Sequence, residues 1–391
     1  MTQNKTNKVS NVPPLRFPEF SGEWEKCQLG DITVNFSRRN KEGIDYPMFS
    51  VTNDRGFVPQ SEQFEDREMI GTDIKAYKII HNGEFAYNPA RINVGSIGKY
   101  NGVEDCMISS LYVCFDVDRK RINSEWFFHL LKTSKMNFYY NLNGEGGVRI
   151  YLFYPNFARI KSSYPTKAEQ QKIADLFNLL TKRIETQIRV IEDLQTLKKA
   201  IIERSYNVAG EVHKIGELIE QVSKRNKSNE YPVLSVNNRL GFIEQADQFE
   251  DRTVASDDTS NYKVVSTNDF AYNPARINVG SIARLKNRTN GIVSPMYVCF
   301  RTKGSLLPEY MEYFFDTVYF KHEMFKRLEG SVRLCLSFEG LCNISMSIPS
   351  VDDQKKLSNR ISTIEQKIQL ESKILEAYKM QKSYLLQQMF I

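Results

Sequence analysis

Two long stretches of the chain carry apolar residues at helical spacing without a Gly or Pro. In the first, from Lys167, the apolar positions are Ile173, Phe177, Leu180, Ile184, Ile188, Ile191, Leu194, Leu197 and Ile201. In the second, from Asp353, they are Leu357, Ile361, Ile364, Ile368, Leu375, Tyr378 and Leu385. Each stretch predicts one helix of about 35–38 residues, roughly 50–55 Å long. A long helix with one apolar stripe is unstable alone in water, so we expect the two helices to pair as an antiparallel coiled coil.

The segments before each helix have a different pattern. Short runs rich in Val, Ile, Tyr and Phe alternate with Gly, Asn and Pro, as in YPMFSV from Tyr46 and SSLYVCFDV from Ser109. This pattern predicts β-strands joined by turns. A helix is predicted over Ser124–Tyr140, where apolar residues again follow helical spacing. After Pro165, Thr166 and Glu169 predict a capping box at the start of the first long helix.

The chain contains an internal repeat. The segment FAYNPARINVGSI occurs at Phe85–Ile97 and again, without one difference, at Phe270–Ile282. The flanking sequence repeats in nearly the same register, and KKAIIERSY from Lys198 matches QKSYLLQQMF from Gln381. The prediction is an α+β chain of two tandem mixed domains, each followed by a long helix, with pseudo-twofold symmetry. The predicted ranges are 1–12 disordered, 13–164 first domain, 165–206 first helix, 207–349 second domain and 350–391 second helix.

Composition limits the class of protein. The chain has 391 residues, 41% of them hydrophobic and 12% aromatic, which is enough for two or three folded domains. It has six cysteines and none in a C-x-x-C pair, so buried free thiols are expected rather than a zinc site. A signal peptide and an apolar run of transmembrane length are both missing, and we expect a soluble cytoplasmic protein. The net charge of +6 is weak evidence for nucleic acid.

The repeated 13-residue segment carries side chains typical of recognition. Arg offers a planar fork to guanine or phosphate, Asn can pair with adenine, and Gly lets the backbone approach closely. The candidate DNA-binding residues are Tyr87, Asn88, Arg91, Asn93 and Ser96, with Tyr272, Asn273, Arg276, Asn278 and Ser281 in the second copy. The alternative is a shared turn whose Asn and Arg side chains satisfy buried backbone groups.

Three further groups of repeated residues are candidates for contact with DNA. A basic cluster at Arg38, Arg39 and Lys41 returns at Lys224, Arg225 and Lys227, and suits phosphate, although such clusters are often only solvated. Gly-rich loops place Arg149 and Arg333 where they suit a phosphate or a base edge. Turns between predicted strands carry Asn53 and Arg55 in one copy and Asn238 and Arg239 in the other, where the Arg has moved by one place.

Catalytic motifs are missing from the sequence. NPAR at Asn88 differs from the Asn-Pro-Pro-(Phe/Tyr) motif of adenine methyltransferases at its third and fourth residues, and no G-x-x-x-x-G-K-[ST] loop is present for ATP. The four histidines fall at different places in the two copies. A duplicated enzyme is expected to duplicate its base, so the chain is predicted to be non-catalytic.

Together these features resemble the specificity (S) subunits of type I restriction–modification systems. The strings that carry the resemblance are LRFPEFSGEWEKCQLGDI from Leu15, the P-x-x-x-E-Q-Q-K-I entry at Pro165 with a softened copy at Pro349, and the terminal LLQQMFI. The second domain lacks the LRFPEF…W segment, so its first strand is expected to be shorter.

The resemblance implies two target-recognition domains that bind double-stranded DNA and two helical regions that dock two methyltransferase subunits. It leaves open whether two restriction subunits also join. It implies that this chain binds no cofactor, and that S-adenosylmethionine, ATP and Mg²⁺ belong to the partners. The near-identical loops predict two related, inverted half-sites separated by an unread spacer. The alternatives are a standalone two-headed DNA-binding or scaffolding protein and, as a third class, an enzyme with two small-molecule pockets.

Overall fold

The computed structural model describes residues 11–63, 74–147, 149–207, 210–227, 231–238, 240–245, 258–331 and 333–391. Residues 1–10 of the N-terminal segment predicted to be disordered lie outside these ranges. The chain divides into two compact units. Unit 1 comprises residues 1–187 and 374–391, and unit 2 comprises residues 188–373. Each unit therefore contains one half of each long helix, whereas the predicted domain boundaries assigned each helix to a separate region.

Unit 1 begins with a strand-rich domain. Its strands are β1 (Glu25–Gln28), β2 (Thr33–Phe36), β3 (Phe49–Thr52), β4 (Gly56–Pro59), β5 (Lys78–Ile80), β6 (Phe85–Tyr87), β7 (Ile97–Lys99), β8 (Cys106–Ile108), β9 (Val113–Val117) and β10 (Lys161–Tyr164). Its helices are α1 (Gln60–Gln63), α2 (Ser124–Leu131), α3 (Ser134–Asn143), α4 (Tyr154–Ala158) and the start of α5 (Lys167–Tyr206). Short 3₁₀ turns occupy Leu29–Asp31, Ile74–Ala76 and Ile92–Val94.

Unit 2 repeats this order. Its strands are β11 (Glu211–Lys214), β12 (Ile219–Gln221), β13 (Leu234–Asn237), β14 (Gly241–Glu244), β15 (Lys263–Ser266), β16 (Phe270–Tyr272), β17 (Ile282–Arg284), β18 (Asn290–Val293), β19 (Val298–Thr302) and β20 (Ser345–Ile348). Its helices are α6 (Ile215–Leu218), α7 (Pro308–Phe314), α8 (Val318–Phe325), α9 (Phe338–Cys342) and the start of α10 (Val351–Gln388). Ile277–Val279 form a 3₁₀ turn. Strands β1 and β11 both have four residues, so the prediction of a shorter first strand in the second domain is wrong.

A four-stranded antiparallel sheet forms the centre of each domain. The strand order is β2-β9-β6-β7 in unit 1 and β12-β19-β16-β17 in unit 2. The pairing register is also the same, since Phe85 lies opposite Phe115 and Phe270 lies opposite Phe300. Each Phe pair stacks face to face, at ring-centroid distances of 5.1 and 5.0 Å. The predicted α+β class is confirmed, and the repeated sequence produces repeated structure.

The helix predicted over Ser124–Tyr140 is two helices. The chain leaves α2 at Lys132, and Thr133 then caps α3 by accepting a hydrogen bond from the Met136 amide. Thr317 makes the equivalent cap on the Phe320 amide in unit 2. A Thr side chain that bonds to the backbone in this way competes with helix continuation. Apolar spacing alone did not reveal this break, because the apolar residues continue through it.

The long helices run antiparallel to each other within each unit. In unit 1, Lys382 donates to the Thr181 hydroxyl at 2.7 Å, and Arg183 donates to the Tyr378 hydroxyl at 2.7 Å. In unit 2, Lys198 pairs with Glu365 at 2.6 Å. Lys382 and Lys198 are 184 residues apart, as are Glu365 and Thr181, so one contact is the pseudo-symmetric copy of the other.

This offset corrects two details of the predicted helices. The sequence alignment of the two copies matched Gln381 with Lys198. The contacts show that Lys382, one residue later, is the residue equivalent to Lys198. The predicted apolar stripe also included Leu197, which is 49% exposed, and omitted Ile202, which is buried. Lys198 takes the inward position because its amine reaches Glu365 and lies over the Tyr313 ring.

A buried glutamine fixes the first turn of each long helix to its domain. The Gln170 amide donates to the carbonyls of Arg121 and Pro165 and accepts from the Asn123 amide. Gln354 makes the same three bonds, to Ser305, Pro349 and Leu307. Both glutamines are fully buried. This contact explains why a Gln recurs five residues after the Pro in both copies.

An N-terminal strap, residues Asn11–Trp24, is present in unit 1 alone among the described residues. Arg16 forms a two-pronged ion pair with the buried Glu169 carboxylate, with both distances 2.7 Å. The Leu15 amide donates to the Gln388 carbonyl. Glu169 is therefore not the second half of a capping box, although its amide does donate to the Thr166 hydroxyl. Asp353, at the equivalent place in unit 2, is exposed and pairs with Lys356.

Unit 1 contains a histidine whose titration should destabilise it in acid. His129 is buried between α2 and α5, where it bonds to Asn178 and packs on Phe177. Burial lowers its pKa to about 4, and the bond to Asn178 opposes this shift. An unfolded His titrates near pH 6.5, so the unfolded chain binds more protons between about pH 4 and 6.5. The contribution of His129 is complete above pH 6.5 and is lost as the pH falls to about 4.

We therefore expect His129→Gln to remove about 2–3 kcal/mol of the acid-induced loss of stability between pH 6.5 and 4. Glutamine retains a donor for Asn178 but does not titrate. Both tryptophans, Trp24 and Trp126, lie in unit 1, so tryptophan fluorescence during urea unfolding measures this unit selectively. Unit 2 has Tyr313 at the equivalent position, so this titration is expected in unit 1 alone. The same pH dependence of unit 1 stability in the wild type and in His129→Gln would contradict the prediction.

Candidate nucleic-acid interface

The repeated segment consists of a short strand and a longer loop. Phe85–Tyr87 and Phe270–Tyr272 are the buried strands β6 and β16. The recognition loops, as we name Asn88–Gly95 and Asn273–Gly280, follow directly. Asn88 accepts a hydrogen bond from the Ala90 amide and Asn273 accepts one from Ala275, which turns the chain away from the sheet. Gly95 and Gly280 close the loops at φ of 102° and 90°, a region that disfavours other residues.

Two other loops meet each recognition loop. The hairpin turn after β3 is held by Ser96, whose hydroxyl donates to the Val51 carbonyl at 2.6 Å. The Gly-rich loop Gly144–Tyr151 is joined through the Leu152 amide, which donates to the Pro89 carbonyl at 3.0 Å. Unit 2 has the same two contacts, Ser281 to Val236 at 3.2 Å and Leu336 to Pro274 at 3.1 Å. Residues far apart in sequence therefore form one loop cluster in each unit.

The arginines of these clusters are exposed. The side chains of Arg91, Arg149, Arg276 and Arg333 all lie at the surface, and none of their guanidinium groups has a hydrogen bond or ion pair within the described parts of the chain. Arg55 is also exposed, in a loose pair with Glu62 at 3.4 Å. A free guanidinium carries no desolvation cost in this state and can offer all its donors to a phosphate or a base edge. The structure therefore brings Arg91 and Arg149 of unit 1, and Arg276 and Arg333 of unit 2, to surfaces suited to a polyanion.

Several predicted DNA contacts are incompatible with the structure. Tyr87 and Tyr272 are fully buried in the sheet core, and burial raises the pKa of each phenol. Ser96 and Ser281 are buried and bonded to backbone carbonyls. These four side chains hold the loop in place and do not reach its surface. Asn88 and Asn273 are half-buried, and their side-chain oxygens accept hydrogen bonds within the turns, the role that the alternative of a structural turn predicts.

The remaining asparagines lie at the loop surface. Asn93 is half-buried and donates to Asn141 at 3.0 Å, whereas Asn278 is exposed. Asn53 and Asn238 are exposed in the hairpin turns. Arg239 lies outside the described residues.

The basic clusters contain both exposed and occupied residues. Arg39, Lys41, Lys224, Arg225 and Lys227 are exposed, and Arg225 donates to Asn261 at 2.8 Å. Arg38 instead makes two 3.0 Å bonds to the buried Glu84 carboxylate. In unit 2 the equivalent carboxylate, Asp269, is paired with Arg301. Arg38 is therefore a structural counterion of Glu84. In unit 2 Lys224 stands at the equivalent position, and Arg301 on strand β19 pairs with the carboxylate instead.

A cavity of about 370 Å³ opens in unit 2 between the recognition loop and the hairpin β13–β14. Its lining includes Asn238, Asn273 and Arg276 together with Gln245, Tyr262 and Met296. The Tyr262 carbonyl accepts from the Asn226 amide, which joins the basic cluster to the same wall. Sequence reasoning missed the last three lining residues. Tyr262 and Gln245 do repeat, as Tyr77 and Gln60, and that repetition was a usable signal.

Lys132, also absent from the sequence prediction, lies behind the recognition loop of unit 1. Its amine donates to the Gly95 carbonyl at 2.7 Å. Burial lowers the pKa of this amine to about 8, with Asp54 opposing the shift and Lys382 adding to it. This side chain touches the loop from the side of the helices.

Over the described ranges, no group of three or more His, Cys, Asp or Glu side chains is placed to hold a metal ion. No helix found in the described ranges has both the length and the apolar character needed to span a membrane. All six cysteines are free thiols, and Cys106, Cys114 and Cys299 are buried.

Part of the chain is similar in sequence to known proteins. Residues 21–193 match the family model of the type I restriction modification DNA specificity domain. This segment covers β1–β10 and the start of α5, including the first recognition loop. This match covers 173 of the 391 residues, less than half of the chain. The specificity subunit of the type I restriction enzyme HindI, from Haemophilus influenzae, is 24% identical over 189 residues. That alignment covers 46% of this chain and 40% of the relative, so this chain matches less than half of the relative's length.

Solved structures share the fold over nearly the whole chain. The HsdS subunit from Thermoanaerobacter tengcongensis matches 97% of this chain and 99% of its own, with a TM-score of 0.51 and 14% identity. The type I restriction–modification S subunit from M. genitalium matches 97% and 99%, with a TM-score of 0.58 and 12% identity. A structure from a study of type I system assembly matches 95% and 98%, with a TM-score of 0.59 and 12% identity.

These comparisons confirm the predicted family. The domain model, the relative and the two named structural neighbours are all specificity domains or subunits. The prediction of a specificity subunit rather than an enzyme agrees with these similarities. The second unit, which lies beyond the family match, repeats the strand order, register and loop contacts of the specificity domain in the first.

The burial of Tyr87 and Tyr272 in the strands of the motif can be tested by replacing each with Phe. In the described structure the Tyr87 hydroxyl is buried without a hydrogen-bond partner, whereas that of Tyr272 donates to the Leu336 carbonyl at 3.3 Å. We expect Tyr87→Phe to stabilise unit 1 by about 1 kcal/mol and Tyr272→Phe to destabilise unit 2 by a similar amount, since an unsatisfied buried polar group is unfavourable. Chemical unfolding measures both changes. If Tyr87 contacted DNA as its sequence position suggested, Tyr87→Phe would instead weaken DNA binding.

Proposed function

We propose that this chain is the DNA-reading subunit of a type I restriction–modification complex. The observation that carries the proposal is the pair of identical recognition loops, each with an exposed arginine and each hydrogen-bonded to the end of a Gly-rich loop that carries a second exposed arginine. Arginine can bond bidentately to guanine in the major groove, and the exposed lysines and arginines of the basic clusters suit phosphate. The target is a duplex with two half-sites, one for each unit, and a spacer that neither unit reads.

The two half-sites are related and inverted in this proposal. The recognition loops are identical in sequence and share their turns, left-handed glycines and anchoring contacts. Inverted half-sites require equivalent loops to read opposite strands of the duplex. Sequencing of modified bases in cells that express this chain with its methyltransferase tests the proposal. Two unrelated half-sites would refute the inverted repeat and leave the specificity role intact.

Two methyltransferase subunits dock on α5 and α10 in this proposal, and restriction subunits join the same assembly where the system has them. The exposed faces of both long helices carry many charged residues, which suits a polar docking surface. S-adenosylmethionine would be bound by the methyltransferase, and ATP and Mg²⁺ by the restriction subunit. Co-purification distinguishes this proposal from the alternative of a standalone two-headed DNA-binding or scaffolding protein. A specificity subunit retains two methyltransferase copies per chain, and a standalone protein retains none.

Replacement of the loop arginines provides the residue-level test. We expect Arg91→Ala to weaken binding to duplex DNA by about 1–3 kcal/mol and to relax one half-site, while Arg276→Ala relaxes the other. The measurement is binding to duplexes substituted at each position of the methylated sequence. Lys41→Ala is the control, since loss of a phosphate contact weakens all duplexes alike and reduces the salt dependence. Unchanged affinity in both arginine variants would contradict a reading role for these loops.

A further inference from the structure

The two recognition loops have the same sequence but different support. Both are anchored by the Ser-to-Val contact and by the bond to the Pro carbonyl described above. A third anchor exists in unit 1, where the Lys132 amine donates to the carbonyl of Gly95, the last residue of the loop. The equivalent position in unit 2, 184 residues on, is Asp316. An ionised carboxylate has no proton to donate, so the Gly280 carbonyl cannot receive this bond.

Asp316 lies near the end of the recognition loop of unit 2, as Lys132 does in unit 1. Asp316 and Gly280 line the same cavity of about 380 Å³ in unit 2. Lys132 and Gly95 likewise line a cavity of about 420 Å³ in unit 1. The two positions therefore face equivalent spaces behind their loops, with opposite charge. Desolvation raises the pKa of the Asp316 carboxyl, Glu365 adds to this shift, and Lys198, Lys321 and Lys286 oppose it by favouring the ionised form.

The recognition loop of unit 1 is also packed more tightly than that of unit 2. A methyl group added at Gly95 would lie 2.8 Å from the Asn53 carbonyl oxygen, closer than a carbon can approach. At Gly280 the nearest atoms of the equivalent Asn238 would be 3.6 and 3.8 Å away, which is ordinary contact. Ile97 is buried after the first loop, whereas Ile282 is half-buried after the second. The recognition loop of unit 1 thus lies nearer to its hairpin turn.

We propose that Lys132 is a positioning residue that holds the recognition loop of unit 1 against its hairpin turn, and that Asp316 leaves the loop of unit 2 less constrained. The two units consequently read related half-sites with different stringency, stricter for unit 1. This consequence rests on the proposed DNA-reading function. The difference in loop constraint does not, because it follows from contacts within the protein alone.

Hydrogen exchange measured by mass spectrometry tests the constraint in the full-length chain. The loops have identical sequences, so their intrinsic exchange rates are equal and any difference comes from structure. Peptides that extend to Lys99 or to Arg284 differ in mass and identify the two loops. We expect exchange about tenfold slower at residues 92–97 than at 277–282, the effect of one charge-assisted hydrogen bond. Equal exchange in the two loops would overturn the proposal.

Three variants make the test specific. Lys132→Met should raise exchange at residues 92–97 to the level of unit 2, and Lys132→Arg should restore slow exchange because guanidinium also donates. Asp316→Lys should slow exchange at residues 277–282, with Asp316→Ala as the control that removes the carboxylate without adding a donor. Tryptophan fluorescence shows whether unit 1 stays folded in the Lys132 variants. If Lys132→Met unfolds it, Asp316→Lys still decides the question, and unchanged exchange in that variant refutes the role of Asp316.

Methylation by the complete complex tests the consequence for specificity. The half-site of unit 1 is the one that Arg91→Ala relaxes. Lys132→Met should raise methylation at genomic sites with one mismatch in that half-site several-fold, with no change for mismatches in the other. Equal relaxation of both half-sites would refute the assignment to unit 1. Absence of sequence-specific methylation by the wild-type complex would refute the proposed function, while the exchange result would stand independently.

Discussion

The buried Gln170 and Gln354 amides are the contacts on which both units depend. Each joins three backbone groups from two segments, the turn after the central sheet and the entry to the long helix. A buried amide with donors and acceptors satisfied in this way is costly to break, because its loss leaves several backbone groups unpaired. The first turn of each helix is therefore fixed to its domain. The direction in which each long helix leaves its domain follows from that fixed turn.

The repeated motif has two parts with different roles. Its strand half packs in the core, where Phe85 and Phe270 stack on the neighbouring strand. Its loop half turns through Asn and Gly and leaves Arg91 and Arg276 exposed. Most of the identity between the copies therefore preserves packing and loop shape. Only a few side chains in each copy remain available for a ligand, and their chemistry is that of nucleic-acid recognition.

The two units differ where a contact partner has been exchanged or removed. Glu84 is neutralised by Arg38 from one side, and Asp269 by Arg301 from another strand. The strap ion pair Arg16–Glu169 has no counterpart at the exposed Asp353. Behind the recognition loop, unit 1 has the basic residue Lys132 and unit 2 has the acidic residue Asp316 at the equivalent position. A duplicated fold tolerates these changes since each buried charge keeps a partner or moves to the surface. Such exchanges allow identical loops to behave differently.

The duplication, the α+β class, the two long helices and their antiparallel pairing could be predicted from the sequence, because apolar periodicity and repetition record local structure and burial directly. The sequence also identified Arg91, Arg149, Arg276 and Arg333, whose positions in turns keep them at the surface. Tertiary structure alone decided that Tyr87 and Ser96 are structural, that Arg38 is a counterion, and that the helix after the sheet breaks at Thr133. It also decided that Lys132 supports a loop 37 residues earlier in the chain. These outcomes depend on which groups meet across long sequence separations, and that pairing is set by packing rather than by local pattern.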